Sequence, residues 1–236
     1  LIAGLPGEGL ESFKAGLDEA VSLKPHALQL GFLKLLHGSA MREEPETYPC
    51  RFDPLAPYEV LETPWLSPED IQDLKCAERG LDKSYNAGRF QGALHFLFSR
   101  GVSPFAFFEA LGREIPPAEQ GQKGLSLEEV TQRIYSAATR AIPDQAPQLR
   151  DLLLTDRLAS TLTTVMPACL KIPDARFHTA KRALDRRFPR EPGALRAFGF
   201  LYATPDADLA FCDYERKNPV TELYAVRYVT MGELGM

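Results

Sequence analysis

The residues best suited to chemistry form one short turn. Gly4-Leu5-Pro6-Gly7-Glu8 follows the apolar run Leu1-Ile2-Ala3. Gly4 and Gly7 remove side chains where a backbone must pass close to another group. Pro6 stiffens the turn, and Glu8 stands at the start of a helical pattern, where the helix dipole favours a carboxylate. A turn at the carboxyl end of a parallel strand is where α/β folds place ligands. The same residues also make an ordinary glycine turn with an acidic first helical residue. Lys34 is a second candidate: a charge inside the otherwise apolar run Ala27–Leu36, near its end. Burying it unpaired is costly. It therefore either reaches out to water along its aliphatic stem or faces a carboxylate of substrate or cofactor. His37 occupies the following turn and is open to the same two readings, site or surface.

Other constellations carry less. Tyr85, Asn86 and Arg89 form a polar cluster at a break between two helical patterns. Asn86 is suited to cap the next helix, and a substrate-side role is the alternative. The stretch Arg176 to Arg190 is the one basic concentration, read first as a solvated helix face with local ion pairs and second as a phosphate or nucleic-acid contact. Cys50, Cys76, Cys169 and Cys212 share no C-x-x-C spacing, so no local zinc or iron–sulfur signature exists. They read as reduced, mostly buried thiols of a cytoplasmic protein. A glycine-rich phosphate loop, an H-E-x-x-H helix and a nucleophile elbow are all absent from the sequence.

The elements that must position these residues follow from patterning. The 236 residues, 44% hydrophobic and 25% charged, suffice for a sizeable core without metal or disulfide staples. A net charge of −5 argues against a nucleic-acid binder that works through bulk charge, so no nucleic-acid partner is expected. No apolar stretch approaches the ~20 residues that span a bilayer. Residues 1–37 read as strand, helix, strand: Leu10, Phe13, Leu17, Ala20 and Val21 recur at helical spacing, and Lys24-Pro25 stops them. A crossover of that length favours parallel pairing, with the second strand covered on both faces. Two parallel strands alone leave edges and faces bare. Further strands are therefore expected before Leu1, in a longer protein of which this is a fragment. Residues 38–64 read as an irregular, proline-punctuated segment, an ordered linker wrapping the core rather than a flexible tether. From 66 to 190 the pattern is helical, with starts at Ser67-Pro68, Ser103-Pro104 and the capping box at Ser126, and further helices from about Gln148 to Thr164 and Asp174 to Phe188. Residues 193–236 read as a small antiparallel β unit with runs at 197–203, 209–214 and 223–229. The fold class expected is α+β, mainly α.

The run Leu1-Ile2-Ala3-Gly4-Leu5-Pro6-Gly7-Glu8 resembles the late-barrel-strand motif of radical SAM enzymes, whose Ile-x-Gly core lies beside the adenine of S-adenosylmethionine. Gln29-Leu30-Gly31-Phe32-Leu33-Lys34-Leu35-Leu36-His37-Gly38-Ser39 looks like the final barrel strand of the same superfamily. More narrowly, the chain resembles radical SAM proteins that carry a cobalamin (B12)-binding domain and a helical C-terminal domain of unknown function after the barrel. Pro57-Tyr58-Glu59-Val60-Leu61, Trp65-Leu66-Ser67 and Tyr85-Asn86-Ala87-Gly88-Arg89-Phe90 carry that likeness. The resemblance implies a truncated (β/α) barrel end at 1–45, a mainly helical domain at 46–192, and the β unit of 193–236 packed on it. It implies that Ile2, Gly4, Gly7 and Glu8 form part of an S-adenosylmethionine wall by shaping backbone, with Lys34 and His37 on the substrate or cofactor side. It also implies an intact enzyme with a 4Fe-4S cluster and cobalamin, acting on an unactivated carbon of a small or unidentified substrate. Its partners in that protein are the upstream barrel and the cobalamin domain.

The chain departs from that family in one large respect. It lacks the C-x-x-x-C-x-x-C motif, and a cluster needs thiolate ligands. Alone, it is therefore expected to bind neither cluster nor cobalamin and to be inactive. A reading from another class is a non-catalytic helical protein-binding module, with Phe105, Phe107 and Phe108 serving an interface rather than a core.

Overall fold

A computed structural model describes residues 1–117, 124–162, 165–191 and 193–236. The fold is α+β and mainly α, as the patterning predicts. The chain divides into two compact units, Leu1–Gly88 with Val102–Lys123, and Arg89–Gly101 with Gly124–Met236.

The first unit begins with the expected strand–helix–strand motif. β1 (Ile2–Ala3) pairs in parallel with β2 (Gly31–Phe32), with Ile2 opposite Gly31 and Ala3 opposite Phe32. Between them runs α1 (Leu10–Ser22), which buries Phe13, Leu17 and Val21, a single stripe at a spacing of four. The chain leaves α1 through Lys24, whose φ of 54° ends helical geometry before Pro25. The strand of 27–36 is much shorter than the apolar run suggests, and its burial alternates. Leu30 and Phe32 are buried between exposed Gln29 and half-buried Gly31 and Leu33, and the alternation ends at Lys34, which is exposed. An apolar run records what a strand could bury; the cover packed on it decides what it does bury.

Residues 38–64 are ordered, and they carry short elements that the proline spacing does not predict. After the single-turn α2 (Ala40–Glu43), β3 (Arg51–Phe52) and β4 (Val60–Glu62) pair antiparallel. The chain before β4 also continues the ladder of β2: Val60 donates its N–H to the carbonyl of Leu33, and Leu35 donates to that of Tyr58.

α3 (Pro68–Lys83) starts at a capping box between Ser67 and Asp70, and α5 (Pro104–Glu114) starts where Ser103 accepts the N–H of Ala106. These two helices touch backbone to backbone. A Cβ on Gly80 would lie 1.9 Å from the carbonyl oxygen of Phe108, and one on Gly112 would lie 1.7 Å from that of Cys76. Only two glycines permit that approach, and it brings Ile71, Leu74, Leu81, Phe105, Phe108 and Leu111 into one buried layer.

The second unit takes α4 (Gln91–Ser99), α6 (Leu127–Ala141), α7 (Ala146–Ser160), α8 (Phe177–Arg187) and a three-stranded antiparallel sheet. The predicted helix end at Thr164 lies outside the described residues. α6 starts at the capping box of Ser126 and Glu129. The sheet order is β5 (Ala197–Phe200), β6 (Leu209–Cys212) and β7 (Arg227–Val229). Alternate residues of β5 serve opposite sides. Ala197 and Leu201 pack with Leu154 and Leu158 of α7, and Phe200 packs with Ala180, Ala183 and Leu184 of α8.

Between these layers lies an ion pair with little water. Asp151 accepts the guanidinium of Arg150 at 2.9 Å and the N–H groups of Tyr202 and Ala203 at 2.8 Å each. Arg150 also donates to the carbonyls of Phe200 and Leu170. A buried pair of this kind holds the turn after β5 against α7, because breaking it would strand a charge.

Candidate functional site

The parallel pair of β1 and β2 sets the candidate site. Gly4 follows β1 directly, and Lys34 stands two residues beyond β2. The glycine turn and the 34–37 segment thus leave the carboxyl ends of two adjacent parallel strands, the end where α/β sheets bind ligands.

Within that turn the two glycines have different causes. Gly4 is buried at φ +93°, and a Cβ there would lie 2.8 Å from Cγ1 of Val60. Gly4 is therefore required by β4 of the same chain. Gly7, at φ +85°, has nothing within 4 Å of its would-be Cβ. It is the position at which another group could approach the backbone closely. Ile2 is 51% exposed, and Glu8 is half-buried with its N–H donated to the carbonyl of Leu5.

Lys34 is exposed, so the cost of burying it never arises. Its backbone bridges Glu59, whose carboxylate pairs with Lys75 at 2.8 Å. Among the described residues Lys34 has no ion pair. His37 is also exposed and meets the ring of Tyr58 edge-on, with centroids 5.6 Å apart. On Tyr58 rests the guanidinium of Arg42, 5.4 Å from the ring centroid, which donates to the carbonyl of Leu35. Tyr58 and Arg42 are residues of this corner that sequence reasoning does not single out. The one available signal was Tyr58, which lies next to Glu59 in a segment that resembles the helical domain.

The polar cluster at 85–89 is not assembled as one site. Tyr85 donates its hydroxyl proton to the carbonyl of Pro25, and Asn86 bonds both backbone groups of Leu28. Both therefore support the lead-in to β2. Arg89 is exposed and belongs to the other unit. Asn86 does not cap the next helix. That part falls to Asp156, 63 residues or more away in sequence, whose carboxylate accepts the N–H of Gly92 at 3.1 Å and of Ala93 at 2.9 Å. Burial pushes its carboxyl up to about 7, against those two hydrogen bonds.

In the basic stretch Arg176 pairs with Asp174, and Lys181 and Arg190 with Asp185. The hydrogen bond from Arg176 lowers the Asp174 carboxyl to about 2. Arg182, Arg186 and Arg187 are exposed, and none has an ion pair among the described residues.

Among the described residues the cysteines join no group of three or more His, Cys, Asp or Glu side chains that could hold a metal ion. Cys50 and Cys76 belong to the first unit, Cys169 and Cys212 to the second. Burial raises the thiols of Cys50, Cys169 and Cys212, the opposite of what a metal thiolate needs. These residues do not fit an iron–sulfur cluster. No described helix is long and apolar enough to cross a membrane.

A family model described as a protein of unknown function, DUF4080, matches residues 46–191. The chain belongs to the DUF4080 family. No curated protein matches it.

Proposed function

We propose that this chain is the C-terminal part of a radical SAM enzyme of the cobalamin-binding type, which modifies an unactivated carbon. The observation that carries the reading is the parallel β1–α1–β2 unit, with the Gly4–Glu8 turn and the Lys34–His37 segment leaving the same carboxyl end. Its residues resemble the last barrel strands of that superfamily, and the domain that follows is of the kind found after such barrels. The exposed side chains of Leu1, Ile2 and Leu5 support it too, since they lie on the strand and turn that further barrel strands would cover.

In this reading S-adenosylmethionine, a 4Fe-4S cluster and cobalamin supply the radical and methyl-transfer chemistry when bound. The cluster and cobalamin are held upstream. This chain contributes a wall. Gly7 leaves room for a close approach to backbone, Ile2 and Gly4 shape the strand beneath it, and Glu8, one residue before the Gly9 cap of α1, closes the turn with its N–H on the carbonyl of Leu5. Lys34 and His37, exposed at the same end, offer a cation and an imidazole to a substrate or cofactor carboxylate.

The binding-module alternative loses its aromatic interface, because Phe105, Phe107 and Phe108 are buried in the core of the first unit. The test begins with the coding sequence upstream of Leu1. An in-frame C-x-x-x-C-x-x-C motif followed by S-adenosylmethionine cleavage in the anaerobically reconstituted whole protein is the expected result. A stop or start codon just before Leu1 overturns the reading, and substantial cleavage by this chain alone refutes the part of it that holds the cluster upstream.

A further inference from the structure

Arg42 is a half-buried guanidinium with no carboxylate partner among the described residues. Carboxylates are close in sequence. Glu43, Glu44 and Glu46 follow it, all exposed, and none pairs with it. Those near Tyr58 are already taken: Glu59 by Lys75 and Glu62 by Arg51, each at 2.8 Å. Arg42 instead meets the chain beyond β2. Its Nη1 donates to the carbonyl of Leu35 at 3.3 Å, and its Cζ lies 5.4 Å from the ring centroid of Tyr58. One carbonyl occupies one of the five donors of a guanidinium. The Nε and Nη2 edge has no partner among the described residues, and no nitrogen of Arg42 is a buried orphan. That edge presents two parallel N–H groups, the geometry that holds a carboxylate or phosphate by two bonds.

Tyr58 gives this guanidinium a fixed seat. Its carbonyl accepts the N–H of Leu35, and its own N–H is donated to the carbonyl of Leu55. Leu35 thus joins the two residues, with its N–H on Tyr58 and its carbonyl on Arg42. Tyr58 has a φ of 59°, in the left-handed region that a side chain of this size rarely adopts. Such outliers persist where their surroundings over-determine them, and they cluster at binding sites. His37 meets the same ring edge-on, 5.6 Å between centroids. All these residues belong to the first unit.

We propose that Arg42, seated on Tyr58, binds a carboxylate or phosphate group of the substrate through its free Nε and Nη2 edge, with His37 against the same ring. A metal cation would be repelled by this guanidinium, and an apolar ligand would leave its donors without partners. Calling the anion a substrate group rests on the radical SAM reading, which makes this corner the substrate end of the parallel strands. Anion binding by the chain does not rest on it. The two fail separately, because the upstream coding sequence tests the enzyme and a titration of this chain tests the anion site.

The titration follows the arginine Nε–H resonances of the nitrogen-15-labelled 236-residue chain as inorganic phosphate or acetate replaces chloride at constant ionic strength. Arg42→Gln identifies the Arg42 resonance by its loss. A saturable movement of that resonance is expected for at least one of the two anions, with a Kd of about 1–10 mM, the range of a few charge-assisted hydrogen bonds. The His37 ring resonances should move with the same midpoint. In Arg42→Gln that His37 response should weaken about tenfold or more, whereas Arg182→Gln, at an exposed arginine of α8, should leave it unchanged. Circular dichroism checks folding. If Arg42→Gln does not fold, Tyr58→Leu decides: it keeps the charge, removes the seat and should weaken binding about two- to fivefold. Tighter phosphate binding assigns a phosphorylated substrate and tighter acetate binding a carboxylate, and either supports the proposal. No saturable movement by about 100 mM of either anion, ten times the expected range, overturns it. So do equal movements at the exposed Arg182, Arg186 and Arg187, or an unchanged affinity in the folded variant that decides.

Discussion

The carboxamide of Asn86 closes on both backbone groups of Leu28: Oδ1 accepts the N–H at 2.9 Å, and Nδ2 donates to the carbonyl at 3.0 Å. The contact ties the end of α3 to the approach of β2, 58 residues earlier. It imitates one rung of a β ladder where no strand is available, and Asp82 holds the amide in place at 2.7 Å. With Tyr85 on the carbonyl of Pro25, it supports the strand that ends in Lys34 and His37.

Asn86→Ala leaves the N–H and carbonyl of Leu28 without these partners. The expected loss is about 1–3 kcal/mol of stability in the first unit, for a part-buried backbone pair left unsatisfied. Trp65 is the only tryptophan and lies in that unit, so its fluorescence during urea unfolding reads the loss directly. An unchanged midpoint would show that the clamp contributes nothing.

Gly80→Ala and Gly112→Ala each place a methyl group inside a backbone carbonyl of the facing helix, so α3 and α5 must separate. Each should cost at least about 3 kcal/mol, the upper end of overpacking. The double variant should cost less than the two losses added, because helices already separated by one methyl accommodate the other. The same tryptophan signal follows it.

Gly4 and Gly7 separate a steric requirement from a conformational one. Both sit at positive φ, but only Gly4 faces a neighbour, Val60. Gly7→Ala should cost about 1 kcal/mol from backbone strain alone. Gly4→Ala should cost more, and Val60→Ala in the same chain should recover part of the difference. Equal losses at the two glycines in urea unfolding would refute the role given to Val60.

Asp156 predicts an unusual pH dependence for the second unit. Its folded carboxyl is raised from 3.8 to about 7, so between these values the folded chain binds the proton more tightly than the unfolded chain does. Stability from this group is therefore greatest below its unfolded value, falls as pH rises towards 7, and is level above that. Asp156→Asn removes the titration while keeping one oxygen for the N–H groups of Gly92 and Ala93. The difference in unfolding free energy, wild type minus variant, should decline from pH 4 to pH 7, by circular dichroism. A flat or rising difference would be the contrary result.

The parts of the fold legible in the sequence are those whose causes are local. Ser67, Ser103 and Ser126 mark helix starts because a cap needs only its own next three residues. The stripe of Phe13, Leu17 and Val21 marks α1 because a helix repeats every 3.6 residues. The β3–β4 ladder escaped notice because strands of two and three residues carry no period. The roles of Tyr58 and Arg42 escaped because their meaning lies in what folds against them.

By itself, then, the sequence determined the order of the longer helices, the mainly helical character, the parallel crossover of 1–37 and the antiparallel unit of 197–229. Each rests on spacing within a few residues. Tertiary structure alone decided that Lys34 is exposed, that Gly4 answers to Val60 and Gly80 to Phe108, and that α4 is capped by Asp156 instead of Asn86. These depend on which distant backbone arrives within a few ångströms, and side-chain type at one position holds no record of that. The aromatic row beside α8 combines the two. Phe198, Phe200 and Tyr202 alternate visibly along the chain, but only the docking of α8 stacks Phe177 on Phe198.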